Sequence, residues 1–270
     1  MHCQVGDVRV HYTEHGDGLP FVALHGAGVD HREIAGALEP ALAALPGVRR
    51  IYPDLPGMGG TTAPARLRSN DDVVEVLLDF IDRVVGDERF LVGGHSLGGY
   101  LARAVAARRP DRVAGLALLC PAGSALRDVP PHSAVRTWGD PAEVLEPGDL
   151  AGFEEYFVIR DPETARSYRD RVIPGIALVD GAALERIFSR WVLRDAPGAG
   201  DPQAYPTVIL AGRQDSAVGW AGAADLMEVY PRASLAVVDG AGHALLHEQP
   251  EVVAGFLHHW LARCRDEVAG

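Results

Sequence analysis

Near the middle of the chain, Gly94-His95-Ser96-Leu97-Gly98 spells G-x-S-x-G, with the apolar run Phe90-Leu91-Val92 leading in and a helix-forming stretch leading out. This feature constrains the fold most, because it demands a strand, a tight turn carrying a serine, and a helix in immediate succession. Glycines two before and two after the serine let strand and helix approach without a Cβ between them. The serine is then expected above the sheet edge, beside a helix N-terminus, where developing negative charge is favoured. A hydroxyl held there is placed to act as a nucleophile.

Strand and helix patterns alternate around this turn. Strands are expected at Val8 to Tyr12, Phe21 to Leu24, Arg50 to Tyr52, Phe90 to Val92 and Val113 to Leu119. Helices are expected at His31 to Ala44, at Asp71 to Val85 with Asn70 or Asp71 as N-cap, and at Leu97 to Arg108. The pattern lapses from about Ala122 to Ala204, where prolines, scattered aromatics and helical runs replace core strands. It resumes with strands at Thr207 to Leu210 and Leu235 to Val238, and with helices at Ala221 to Val229 and Val252 to Ala262. Such alternation implies an α/β fold, a mostly parallel sheet covered on both faces. The expected organisation is a core of residues 1–121 and 204–270, with 122–203 as an inserted helical lobe.

Composition narrows the chemistry. The 270 residues carry 37 acids against 25 bases, a formal charge of −12, which argues against nucleic acid and anionic membranes as partners. Every base is arginine; the absence of lysine excludes Schiff-base chemistry, a P-loop lysine and a Ser–Lys dyad. The three cysteines, Cys3, Cys120 and Cys264, are far apart, so neither a zinc knuckle nor a disulfide framework is expected and a reducing compartment fits. The first residues lack the apolar run of a signal peptide, and no apolar stretch approaches a membrane span, so a cytoplasmic protein is expected.

A serine needs a base within hydrogen-bond reach. His243, in the loop Asp239-Gly240-Ala241-Gly242-His243 after a strand, is the best candidate among eleven histidines. A carboxylate should fix its tautomer. Asp215 follows the strand Thr207 to Leu210 and so lies at the carboxyl end of a parallel strand, where α/β sites gather; Asp239 is the competitor. The order Ser96, Asp215, His243 is that of the nucleophile–acid–base class built on this turn. An oxyanion would be held by the backbone N–H of Leu97 and by that of Ala27, in the loop His25-Gly26-Ala27-Gly28.

Four motifs in order, His25-Gly26, Asp54-Leu55-Pro56-Gly57-Met58-Gly59, Gly94-His95-Ser96-Leu97-Gly98-Gly99 and Gly242-His243, make the chain resemble α/β-hydrolase-fold enzymes over nearly its whole length outside the lobe. The tail from His243 to Pro250, with Glu248, resembles the family as well. The resemblance implies an eight-stranded sheet, the lobe as a cap over the site, and hydrolysis of a small-molecule acyl substrate with no metal and no organic cofactor. Ser96 sets the chain apart from dehalogenase- and epoxide-hydrolase-like members, which carry Asp at that position. Members that cleave carbon–carbon bonds resemble G-N-S-M-G-G and place Trp after the base, where this chain has His95, Leu97 and Ala244. A carboxylic ester hydrolase is the default expectation. C–C hydrolysis of vinylogous diketones, cofactor-free perhydrolysis and a non-enzymatic binding module stay open beside it.

Lesser candidates have plainer roles. His25 and His95 are expected to orient loops by hydrogen bonding, Asp30 to cap a helix with Arg32 as a weaker carboxylate-binding candidate, Cys120 to pack, and His258 and His259 to lie on the surface. The four-residue spacing of His243 and His247 would suit a metal only on a helix, and the flanking glycines argue for a loop. Among the lobe aromatics, Trp138, Tyr156, Phe157 and Trp191 are the candidates to line an acyl pocket.

Overall fold

The computed structural model describes all residues except 44, 200, 201 and 270. The expected helix end at Ala44, and Gly200 and Asp201 of the expected lobe, lie outside the described residues.

Mostly apolar strands of six or seven residues, buried on both faces except at the β10 edge, build the centre of the molecule. Strands β3 (Leu19–Leu24), β4 (Val48–Pro53), β5 (Phe90–His95), β6 (Val113–Leu119), β9 (Thr207–Gly212) and β10 (Ala233–Val238) are parallel. An antiparallel hairpin, β1 (His2–Val5) and β2 (Val8–His15), adds to the edge at β4. The order is β1-β2-β4-β3-β5-β6-β9-β10, the expected eight-stranded, mostly parallel sheet. From β3 the chain steps to one side to form β4 and then returns to the other to form β5. The strand order therefore reverses between β3 and β5, and loops beyond the carboxyl ends of strands at such a point form a crevice.

Two apolar layers cover the sheet. Helices α1 (His31–Leu42) and α10 (Pro250–Ala269) pack on one face, burying Ile34, Leu38, Leu257, Trp260 and Leu261. Helices α2 (Asn70–Val84) and α3 (Leu97–Arg108) pack on the other, burying Val74, Leu77, Ile81, Leu101 and Val105. The period of α2 is as expected, but its N-cap is Ser69, whose hydroxyl accepts from the Asp72 amide, rather than Asn70 or Asp71. Ser69 is the last extended residue, and capping follows the backbone turn. Helix α3 and strand β6 have the expected bounds.

Between β6 and β9 the chain leaves the sheet in an excursion, largely of short helices. It contains α4 (Leu150–Tyr156), α5 (Pro162–Ser167), a π-helical turn (Tyr168–Val172), α6 (Ile173–Ile176) and α7 (Gly181–Phe188). Two two-residue strands, β7 (Arg136–Thr137) and β8 (Ile159–Arg160), pair with each other outside the main sheet. A third apolar cluster joins Leu145, Phe153, Phe157, Ala165, Tyr168 and Val172 of the excursion to Val29 and Ala244 of the sheet's loops. The excursion thus rests on the loops that follow β3 and β10. Beyond β9 the expected helix at Ala221 to Val229 is shorter: α8 (Ala221–Asp225) gives way to a 3₁₀ turn at Leu226–Glu228.

Candidate active site

The turn after β5 is as tight as G-x-S-x-G requires. A Cβ on Gly98 would lie 2.1 Å from the Leu24 carbonyl oxygen, and one on Gly94 would lie 2.4 Å from the Gly98 carbonyl carbon. Only glycine lets α3 start this close to β3 and β5. Ser96 has φ 52° and ψ −118°, a left-handed conformation that costs a non-glycine residue of order 1–3 kcal/mol and is retained where the surroundings enforce it. The Ser96 amide donates to Leu119 O and its carbonyl accepts from Tyr100 and Ala122, so three elements hold the turn.

Ser96 lies at the floor of a cavity of about 710 Å³. Gly26, Ala27 and Gly28 from the loop after β3, His243 from the loop after β10, and Pro131, Tyr156, Tyr168, Val172 and Ile176 from the excursion also line it. His243 is a half-buried member of this wall, and its Nδ1 lies 2.8 Å from Asp215 Oδ2. The other Asp215 oxygen accepts the amides of Ala217 and Val218, each at 2.9 Å. Burial opposes ionisation of Asp215, but His243 and these two N–H donors hold its carboxyl below the usual carboxylate range. Asp239 instead accepts from the Gln214 side chain at 2.9 Å, a turn contact away from the imidazole.

The Leu97 and Ala27 amides are both unspent: among the described residues neither donates an internal hydrogen bond. Leu97 is the first residue of α3, where the helix leaves its leading N–H groups free. The Ser96 hydroxyl makes no side-chain hydrogen bond among the described residues, so a Ser96–His243 contact is not formed in this structure.

Of the four aromatics expected to line the pocket, the structure brings one to the cavity. Tyr156 lines it and meets the His243 ring edge-on at 6.2 Å. Phe157 is fully buried and packs against Phe153 and Tyr168 in the excursion's own core. Trp191 stacks on Tyr100 and donates to the Gly123 carbonyl outside the cavity. Trp138 is 76% exposed, beside Arg136 and Asp161. Arg32 pairs with Asp30, the α1 N-cap, at 2.7 Å and is not part of the cavity wall.

The loop-orienting histidines are where they were expected. His25 Nε2 accepts the Leu55 amide at 2.9 Å, and His95 Nε2 donates to the His243 carbonyl at 2.9 Å. Two carboxylates carry unexpected roles. Buried Glu248 accepts the Val158 and Ile159 amides through Oε1 and the Gly242 amide through Oε2, tying the excursion to the His243 loop. Fully buried Glu33 lies 2.8 Å from His95 Nδ1. Its readable signal was a charge on the inward face of α1, at i, i+4 spacing from buried Ala37.

Ligand-type atoms converge within 4.8 Å in two groups, His95–Cys120–His243 and His11–His31–Asp54. In the first, His95 Nε2 and His243 Nδ1 already face a carbonyl and a carboxylate. In the second, each Asp54 oxygen accepts one imidazole and one backbone N–H. Both groups are therefore built as hydrogen-bonded networks.

Comparison with known proteins agrees with this geometry. A family model described as alpha/beta hydrolase fold matches residues 20–250. The chain is 29% identical over 263 residues to a 2-hydroxymuconate semialdehyde hydrolase of Pseudomonas sp. (strain CF600), covering 94% of this chain and 91% of that protein. It is 26% identical over 231 residues to a monoacylglycerol lipase of Mus musculus, covering 77% and 66%. Among solved structures, an alpha/beta superfamily hydrolase from Oenococcus oeni PSU-1 superposes with a TM-score of 0.89 at 26% identity, covering 98% of this chain and 99% of that one. The elbow after β5, the strand order and a family match over most of the length agree: this chain is a hydrolase and belongs to the α/β-hydrolase fold family.

Proposed function

We propose that the chain hydrolyses carboxylic esters of small, uncharged molecules through an acyl-enzyme on Ser96. The observation that carries this reading is the Asp215–His243 contact at 2.8 Å, with the imidazole in the wall of the same cavity as the strained serine. In the proposed reaction, Asp215 fixes the tautomer of His243 by accepting from Nδ1, so that Nε2 is the basic nitrogen. Substrate binding closes the Ser96–His243 contact, as catalytic hydrogen bonds often tighten only in the complex. Ser96 Oγ attacks the ester carbonyl as His243 takes its proton, and the Leu97 and Ala27 amides hold the oxyanion. His243 returns the proton to the leaving alcohol, and a water activated by the same imidazole releases the acid. The excursion between β6 and β9 serves as the cap that shapes the acyl pocket.

An uncharged substrate follows from the wall itself. Its aromatic and aliphatic side chains are joined by no arginine among the described residues lining it; its imidazoles are His95, His132 and His243, and its one carboxylate is Glu155. A carboxylate-bearing substrate would find no guanidinium there, and the His95 imidazole is already paired with buried Glu33. The second reading, carbon–carbon hydrolysis, is favoured by the near full-length similarity to a 2-hydroxymuconate semialdehyde hydrolase. A muconate-derived substrate carries a carboxylate, and this is where the wall disfavours that reading.

The test is labelling with a fluorophosphonate, followed by a panel of p-nitrophenyl esters of increasing acyl length beside a vinylogous diketone acid. Ser96 should be the labelled residue, and neutral esters should turn over while the diketone acid does not. An unlabelled Ser96, or faster cleavage of the diketone acid, would overturn the reading.

A further inference from the structure

Beneath the proposed triad lies a second pairing of imidazole and carboxylate that the reaction above does not use. His95, the residue before the nucleophile, is 1% exposed, and Glu33 is 0% exposed. His95 joins three loops, two through its ring and one through its own backbone. Its Nε2 donates to the main-chain carbonyl of His243 at 2.9 Å. Its Nδ1 lies 3.1 Å from where a Cβ on Gly26 would stand, against the loop that supplies Ala27. Its own backbone ends β5 and enters the Ser96 turn. The far side of the ring is anchored by Glu33 Oε1 at 2.8 Å, an ion pair rather than an aligned hydrogen bond. His247 Nε2 approaches the same oxygen at 3.7 Å, while its Nδ1 is satisfied by Ser167 Oγ at 2.9 Å.

We propose that His95, anchored by Glu33, is a positioning residue that sets the register between the nucleophile turn and the base loop by donating Nε2–H to the carbonyl of His243. The inference rests on the acyl-transfer reading only for its kinetic consequence; the protonation of His95 stands without it. Both ring nitrogens face acceptors, a carbonyl and a carboxylate, so the ring carries both protons. Burial alone would strip the charge from His95; the Glu33 charge and the His243 carbonyl reverse that, and the His95 and His247 imidazoles hold the Glu33 carboxyl far below its ordinary range against its burial. The other titratable groups facing this pair are His243 and His247 from the loop after β10 and α9 (Leu245–Glu248), Asp215 from the loop after β9, Cys120 just after β6, His25 from the loop after β3, and Tyr156 from the excursion. The His243 and His95 rings lie with centroids 4.7 Å apart and planes inclined at 42°, in direct contact.

The experiment combines a spectroscopic and a kinetic arm. In the 270-residue protein labelled with 15N-histidine, the His95 ring nitrogens should both report N–H at neutral pH, and the signal should be unchanged in the Ser96→Ala protein. A neutral His95 with a bare Nδ1 would overturn the proposal, whether or not the protein is an esterase. In the kinetic arm, a Gln side chain places an N–H near the Nε2 position, whereas Asn reaches only the Nδ1 position. His95→Gln should therefore retain kcat within about tenfold, and His95→Asn should lose about 100-fold with KM little changed, as a misplacement near 1 Å does. Equal losses in the two variants, or a larger loss in Gln, would show a packing role and overturn the proposal. Should either variant fail to fold, the nitrogen signals of the parent protein decide. Failure of fluorophosphonate to label the parent protein would sink the acyl-enzyme ester reading alone.

Discussion

Two aspartates in this molecule grip imidazoles at the same distance and to different ends. Asp54 faces His11 and His31, each Nδ1 at 2.8 Å, and Asp215 faces His243 at 2.8 Å. Both carboxylates are buried, and both accept two backbone N–H groups. The difference lies beyond the rings. His243 belongs to the wall of the Ser96 cavity, whereas His11 and His31 do not. Asp54 also accepts the amides of His31 and Gly60, locking the loop after β4 to the start of α1. A carboxylate–imidazole pair is thus no signature of a reaction by itself; the free nitrogen must meet a group worth deprotonating.

Removing the hydroxyl is the largest perturbation of this contrast. Ser96→Ala should lower kcat by about 10⁴-fold or more and abolish fluorophosphonate labelling, with the fold retained. Asp215→Asn comes next: about 10³- to 10⁴-fold in kcat, because the imidazole loses the partner that sets its tautomer. Asp54→Asn should cost less than tenfold in kcat/KM but about 2–4 kcal/mol of stability in urea unfolding, the range for breaking a buried charged network. A loss in Asp54→Asn as large as in Asp215→Asn would erase the distinction between the two sites.

The pH dependence sharpens it. Burial opposes ionisation of Asp54, but His31, His25 and the Gly60 and His31 amides together hold its folded pKa below the ordinary value. A depressed carboxylate adds stability that is complete above the unfolded pKa near 4 and is lost as pH falls below it. The stability gap between the parent protein and Asp54→Asn should therefore narrow steadily below about pH 4 in urea titrations. The smallest effects belong to the aromatics: Tyr156→Ala should raise KM several-fold, while Trp138→Ala should leave KM alone and shift stability by no more than about 0.5 kcal/mol.

The sequence was most readable where one local rule acts alone. Helix α3 and strand β6 are bounded by Ser96, Pro110 and Cys120, and their limits are those expected. Strand β1 escaped notice because His2 to Val5 is a short, largely polar edge segment recognised only by its pairing with β2. Strand β5 runs on through Gly93 and Gly94, which offer no side chain to read. Within the candidate site, chain order and strand ends were enough to bring Asp215 to His243 and to set Asp239 aside. The cavity wall was not legible, because the excursion's short helices take their orientation from one another. Phe157 and Tyr156 are neighbours in sequence, yet one enters a core and the other the cavity. Glu33 and Glu248 were opaque for a related reason: a buried acid is explained only by the donors that surround it.

The carboxyl group of Glu248 has a consequence for anyone who would exchange the excursion among these enzymes. It clasps two amides of the excursion with one oxygen and the amide just before His243 with the other. A chimaera that imports a foreign excursion without a main-chain pair matching Val158 and Ile159 would leave this group half-satisfied under the imidazole. Grafting is therefore constrained at a hinge some ninety residues away in sequence, and the transplant with the best prospects keeps residues 157 to 160 of the host.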